Sequence, residues 1–214
     1  MITVNQNNLA SRNRKTRVEF RKQQLIEATL DCIDSLGLSQ TTLGRIAERA
    51  KLSQGNVVFH FQSKEALLEQ TLEYLTNEYY ENWRSAVDAC GDNPVERLFA
   101  LINSSFSHSI CSRKKISVWY AYWGEARSRP KYQAVCGQND LAFSSELKLI
   151  CSEISNTSKA TLDTETAALA IEGMIDGLWQ NLLLAAQSFD RKRAIRAVND
   201  LVSIIYPDIV RSKS

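Results

Sequence analysis

Residues 42–64 read TLGRIAERAKLSQGNVVFHFQSK, and the spacing within them sets what the rest of the chain is organised around. Thr42 is a side-chain acceptor placed to cap a helix start, and Leu43, Ile46, Ala47 and Ala50 follow at the spacing of one buried helix face. Lys51, Leu52 and Ser53 interrupt that pattern. Ser53 can cap a second helix, in which Gly55, Val57, Val58 and Phe61 supply small and apolar positions for packing on the first. Two short helices joined by so tight a turn predict a helix-turn-helix unit.

In such a unit the first turn of the second helix lies nearest the base edges of a DNA major groove. That turn carries Gln54 and Asn56, whose amides can donate to and accept from an adenine edge at once. Taken alone, the two suit a solvated surface better. The flanks supply the polyanion argument: between Met1 and Lys64 ten Lys or Arg stand against five Asp or Glu, leaving +5 there and −3 behind in a 214-residue chain of net charge +2. Arg12, Arg14, Lys15, Arg17, Arg21 and Lys22 oppose only Glu19, and such a run can track phosphate or remain a solvated face. Membrane lipid is also polyanionic, so a membrane-surface or partner-helix module stays open on charge alone.

Outward from this unit, residues 1–13 read as a polar, weakly ordered arm, and 19–36 as an amphipathic helix with Leu25, Ala28, Thr29, Cys32, Ile33 and Leu36 on one side, ended by Gly37. Ser63 can cap a long fourth helix to about residue 89, which leaves Lys64 at an electropositive helix start where a phosphate oxygen can bind. The expected organisation is a basic arm and helix-turn-helix domain over 1–64 and a helical effector-binding and dimerisation domain over 65–214. In the second part the apolar periodicity predicts helices over 95–110, 114–127, 140–154, 164–188 and 190–205, with Pro130 and Pro207 as stops. No alternating strand pattern interrupts them, so the expected class is all-α.

The last two helices are unusually apolar. Ala167, Ala168, Ile171, Ile175, Leu178, Leu182 and Ala186, with Ala194, Ile195, Val198, Leu201, Val202 and Ile205, exceed what one bundle face needs, and part of them is expected to form a homodimer interface. A major-groove reader of this size also gains from a second half-site on a palindrome. The chain has no secretory signal and no membrane-length apolar run, so a cytoplasmic location is expected. Cys32, Cys90, Cys111, Cys136 and Cys151 are scattered singly, as reduced thiols are, and neither a metal site nor a cofactor is expected. Two histidines, with no HExxH, no GxSxG and no glycine-rich phosphate loop, leave no place for catalysis.

Residues 39–68, SQTTLGRIAERAKLSQGNVVFHFQSKEALL, carry a longer pattern: T-x-x-x-I-A-x-x-A, then S-x-G, then F-x-S-K-E-x-L. This pattern resembles the DNA-binding domain of TetR-family repressors. The resemblance implies a palindromic double-stranded operator as partner, with Gln54 and Asn56 at base-facing positions and His60 and Lys64 at phosphate-facing ones. It also counts Thr42, Gly55 and Val58 among the DNA-binding positions, Val58 where many members carry Tyr, and Arg17 joins them from the basic run.

Farther on, KKISVWYAYWGEAR (114–127) puts Trp119 and Trp123 one turn apart, with Tyr122 adjacent and Tyr120 to one side. IEGMIDGLWQN (171–181) puts Asp176 and Trp179 on one face of another helix. Aromatic faces with a carboxylate are the chemistry that holds a quaternary ammonium. On spacing alone a packed core is the simpler account. The W-x-x-Y-W and I-D-G-L-W segments, however, are similar to those of the choline-responsive branch of the same family, repressors of choline uptake and glycine betaine synthesis. That similarity implies choline or a close trimethylammonium compound as effector, among Trp119, Tyr122, Trp123, Asp176 and Trp179.

Overall fold

The computed structural model describes residues 3–185 and 188–209, with side chains from residue 16 onward. The described residues form helices and no strand: α1 (Thr3–Leu36), α2 (Leu43–Arg49), α3 (Gln54–Phe61), α4 (Lys64–Asp88), α5 (Pro94–Ser105), α6 (Arg113–Ala126), α7 (Pro130–Ser155), α8 (Thr164–Leu184) and α9 (Arg191–Ile205). The class is all-α, as the periodicity predicts. No helix among them is long and apolar enough to cross a membrane.

Local chemistry explains the boundaries. Thr42 accepts from the Arg45 amide, Ser53 from Asn56 and Ser63 from Ala66, and each such cap contributes about 1 kcal/mol. Gly37, at φ 78°, closes α1 in the left-handed conformation that glycine adopts without strain.

Four boundaries differ from the sequence reading. The first helix reaches back to Thr3, through the stretch expected to be a weakly ordered arm, because no Gly or Pro interrupts the chain before Gly37. The side chains of Arg12, Arg14 and Lys15 lie outside the described residues, as does Ala186. Helix α7 starts at Pro130 and not near 140: a proline that cannot continue one helix is well placed at the first position of the next, where its missing N–H is not needed. Helix α5 stops at Ser105 in a serine-rich run of weak helix formers, and α8 ends at Leu184.

Buried apolar residues separate into two clusters. In the head, Leu25, Ile26, Ala28 and Cys32 of α1 meet Ile46, Ala47 and Ala50, then Val57 and Phe61 of α3, and Leu67 on the first turn of α4 closes the group. Val58, expected to pack there, is instead 44% exposed: it lies one position beyond Val57, on the outer side of α3. The body cluster runs through α4 to α9 and takes in Leu30 and Ile33 from the other side of α1. Helix α1 therefore belongs to both cores. Lys114 of α6 reinforces the junction, reaching Asp31 at 3.0 Å and Glu27 at 3.7 Å on α1, while Lys115 pairs with Glu78 of α4.

Much of the apolar surplus in α8 and α9 is spent within the chain. Ala167, Ala168, Ile171, Ile175, Leu182, Ala194, Val198, Val202 and Ile205 are buried, and Leu178, Ile195 and Leu201 are partly so. What remains outward is Leu169, Leu184 and Ile204, each more than two-thirds exposed.

Candidate functional site

Two constellations stand out, one on the head and one in the body. The first is the outer surface of the head. The turn between α2 and α3 is tight because Lys51 takes a positive φ of 55° and the Leu52 amide reaches the Ala47 carbonyl at 2.9 Å. Gln24 of α1 holds this turn from behind, donating to the Ala50 carbonyl at 2.8 Å. Helix α3 is thus fixed on its inner face and free on its outer one.

Gln54 and Gly55 are exposed at the start of α3, and Thr42 is exposed at the start of α2. The Asn56 side-chain amide donates one N–H to the Ser53 hydroxyl at 2.8 Å, which leaves its second N–H and its carbonyl oxygen for a base edge. His60 lies in a notch with Arg17, Arg21, Asn56 and Phe59. Burial foremost, then Lys22 and Arg21, lowers its pKa, which favours the neutral imidazole; a neutral ring still offers one N–H to a phosphate. Lys64 stands at the first position of α4, beside the Ser63 cap. Sequence reasoning passed over Phe59, which is 75% exposed and set edge-on to His60, and Arg21 as a notch residue. Phe59 is an outward aromatic two positions from an inward one, a signal visible once the face of Val57 and Phe61 is known.

The second constellation is a cavity of about 370 Å³ in the body, lined by Tyr79 of α4, Trp123 of α6, Asp140 and Phe143 of α7, and Glu172, Ile175, Asp176 and Trp179 of α8. The four α8 residues fall at i, i+3, i+4 and i+7, one stripe of a helix. Ring geometry is set by packing: Tyr79 lies 5.6 Å from Trp179 and 6.4 Å from Trp119, both near edge-on, and 5.6 Å from Phe143. The Trp179 indole N–H donates to the Ser105 carbonyl at 3.0 Å, which fixes that ring. Tyr120, edge-on to Trp123 at 5.1 Å, donates its hydroxyl to the Asp176 carbonyl at 3.2 Å and so ties α6 to α8.

Of the five effector residues expected from the sequence, the structure puts Trp123, Asp176 and Trp179 on the cavity wall. Trp119 is buried one layer behind, 5.9 Å from Trp123. Tyr122 does not belong to the group. It is fully buried on another face of α6, edge-on to Tyr132, with its hydroxyl donating to the Leu68 carbonyl at 2.8 Å. One position along a helix turns a side chain by about 100°, and that separates it from Trp123. Tyr79, Asp140, Phe143, Glu172 and Ile175 were missed. Glu172 stands one turn before Asp176 on the stripe that carries Ile175 and Trp179, and that spacing was the available signal.

The electrostatics are one-sided. Among the described residues no Lys, Arg or His lines the cavity, and no cation pairs with Asp140, Glu172 or Asp176. Glu172 accepts from the Ser144 hydroxyl at 2.7 Å. Burial first and the Glu172 charge second push Asp140 up to about 6; burial, Glu172 and Asp140 push Asp176 to about 6 as well. Both residues nonetheless remain exposed to solvent. Burial drives the Tyr79 phenol far up, so it stays neutral. Such a site attracts an organic cation, with ring faces and carboxylates together in place of water. Among the described residues no group of His, Cys, Asp and Glu is arranged to hold a metal ion.

Residues 25–71 match the model of bacterial regulatory proteins of the tetR family, and residues 94–206 match that of the BetI-type transcriptional repressor C-terminal domain. The HTH-type transcriptional regulator BetI of Burkholderia thailandensis is 33% identical over 187 residues, covering 87% of this chain and 94% of that protein. Among solved structures, a transcriptional regulator from Pseudomonas aeruginosa PAO1 is similar at 26% identity and TM-score 0.73, covering 86% of this chain and 89% of that one. A regulator from Saccharomonospora viridis in complex with choline reaches TM-score 0.76 at 18% identity, covering 86% and 97%.

Proposed function

Because the chain belongs to the TetR family of bacterial regulators and carries a BetI-type C-terminal domain, we propose that it represses its target genes until a trimethylammonium cation, choline first among them, enters the body cavity. The chain is a TetR-family DNA-binding transcriptional repressor and not an enzyme.

The observation that carries the ligand reading is the cavity's composition: Trp123, Trp179 and Tyr79 stand with three carboxylates and, among the described residues, no Lys, Arg or His. A quaternary ammonium offers no N–H, so it relies on ring quadrupoles and counter-charge, and this wall supplies both. The names of the relatives agree, and the choline-bound regulator of similar fold is a precedent for such an occupant. In this reading Trp123, Asp176 and Trp179 touch the cation, Trp119 supports Trp123 from behind, and the regulated genes are those of choline uptake and glycine betaine synthesis.

At the other end, Gln54 and Asn56 read bases, with Gly55 and Thr42 letting the backbone approach and Val58 adding apolar contact, while Arg17, His60 and Lys64 hold phosphates. Two copies pair through the outward apolar residues of α8 and α9, which matches two heads to a palindrome. Occupancy of the cavity must then favour one head separation over another, since a ligand shifts an equilibrium only by its differential affinity. The Lys114 contacts to α1 put α6, which also carries Trp123, in touch with the head.

Titration calorimetry with choline, beside a gel shift on a selected palindrome with and without it, tests the reading. Heat on binding and weakened operator affinity are expected. A cavity silent to choline and to other trimethylammonium compounds removes the ligand assignment. Operator affinity that stays the same at saturation removes the release step.

A further inference from the structure

Within the reading of this cavity as the effector site, the number of its carboxylates is unexplained by a single positive charge. Asp140, Glu172 and Asp176 all face one space. Elsewhere several carboxylates have a basic partner: Glu146 takes both Arg84 and Arg97, Glu153 takes Arg97, and Asp31 and Glu27 share Lys114. In the cavity no such partner is present among the described residues. A monocation would leave two of the three carboxylates without a counter-charge of their own.

The carboxylates are also divided in space. Glu172 and Asp176 are one helix turn apart on α8, a separation of about 5–6 Å between Cβ atoms. Asp176 sits next to Trp179, one turn on. Glu172 sits at the end away from Trp179, with its position fixed by Ser144 of α7, and Asp140 lies one turn before Ser144 on that same helix. The aromatic end suits a methylated ammonium, which has no N–H. The other end, with two carboxylates from facing helices, suits an ammonium that donates hydrogen bonds. A cavity of about 370 Å³ leaves space beside one trimethylammonium head.

We propose that the preferred effector is an organic dication: a methylated ammonium on Trp123, Trp179 and Tyr79 beside Asp176, joined by a short chain to a protonated amine held between Asp140 and Glu172.

The test compares choline with aminobutyl-trimethylammonium by calorimetry on the full-length protein, in wild type and in Asp140→Asn and Glu172→Gln, each variant checked by thermal melting. In wild type the dication should bind at least about tenfold more tightly than choline. In each variant that ratio should shrink toward one, and if one variant fails to fold the other carries the comparison. Choline binding as tightly as the dication, or a dication advantage that both variants keep, overturns the proposal and leaves the trimethylammonium reading in place. Dication binding with choline silent supports the proposal and removes choline from the reading. Neither compound binding overturns both.

Discussion

Acidification should empty the body cavity, because the groups that hold a cation there titrate. Asp140 and Asp176 are pushed up to about 6, by burial first and by neighbouring carboxylates second. A bound cation favours their ionised forms, so affinity is full well above that value and declines below it, by about tenfold per pH unit for each carboxylate the cation needs ionised. Between about pH 7.5 and about pH 5, a group with such a pKa passes from about 97% to about 9% ionised, so affinity falls roughly tenfold for one required carboxylate and roughly a hundredfold for two. Asp140, Asp176 and Glu172 share one space, and the titrations of Asp140 and Asp176 are coupled through it, which makes the limiting slope the informative quantity. Tyr79, the other ionisable side chain on the wall, stays neutral across this range.

Calorimetry with choline at constant ionic strength measures that slope cleanly, since a quaternary ammonium has no proton of its own to lose. Asp176→Asn should reduce the slope by about one unit. Unfolding of the empty protein should show the opposite sense. A carboxyl whose folded pKa lies above its ordinary value of 3.8 contributes most to stability below that value, and the contribution is lost as pH rises through about 6. The ligand-induced rise in melting temperature should therefore grow over the same interval. A Kd for choline that is flat from about pH 5 to about pH 8 would refute the reasoning.

Three further outcomes are expected. Gln54→Ala should weaken binding to a selected operator by about 1–3 kcal/mol and barely change binding to random duplex, whereas Lys64→Ala should weaken both and lower the salt slope by about one unit; equal losses on the two DNAs for Gln54→Ala would make it scaffold. Tyr122→Phe removes the buried hydrogen bond to the Leu68 carbonyl and should lower stability by about 1 kcal/mol in denaturant melts. It should leave choline affinity as it was, and a large loss would restore Tyr122 to the effector site. Leu184→Glu places a charge on an outward apolar residue of α8 and should shift sedimentation toward the monomer at micromolar concentration; an unchanged dimer would move the interface elsewhere.

What could be read before folding was whatever depends on neighbours along the chain. The caps at Thr42, Ser53 and Ser63, the Gly37 stop and the inward faces of α2 and α3 depend on atoms a few residues apart, and each appears where its spacing puts it. The start of α7 was misplaced for an equally local reason: Pro130 was read only as a stop, although a proline that ends one helix can open another. The exposed setting of Gln54 was legible because an outward side chain on a short helix is defined by the inward ones, whereas His60 was singled out only through the family resemblance.

The cavity is a different matter. Periodicity states that Trp119, Tyr122 and Trp123 occupy particular sides of α6, but not which side meets which helix, and so Tyr122 was grouped with rings it does not touch. Tyr79, Asp140 and Phe143 come from helices distant in sequence, and no spacing within α8 announces them. The sequence by itself determined an all-helical chain with a basic reading head, because helix caps and apolar stripes act over one or two turns. Only the tertiary structure decided which carboxylates share a wall with which indoles, because that depends on how four helices pack, a relation no single stretch of the chain contains.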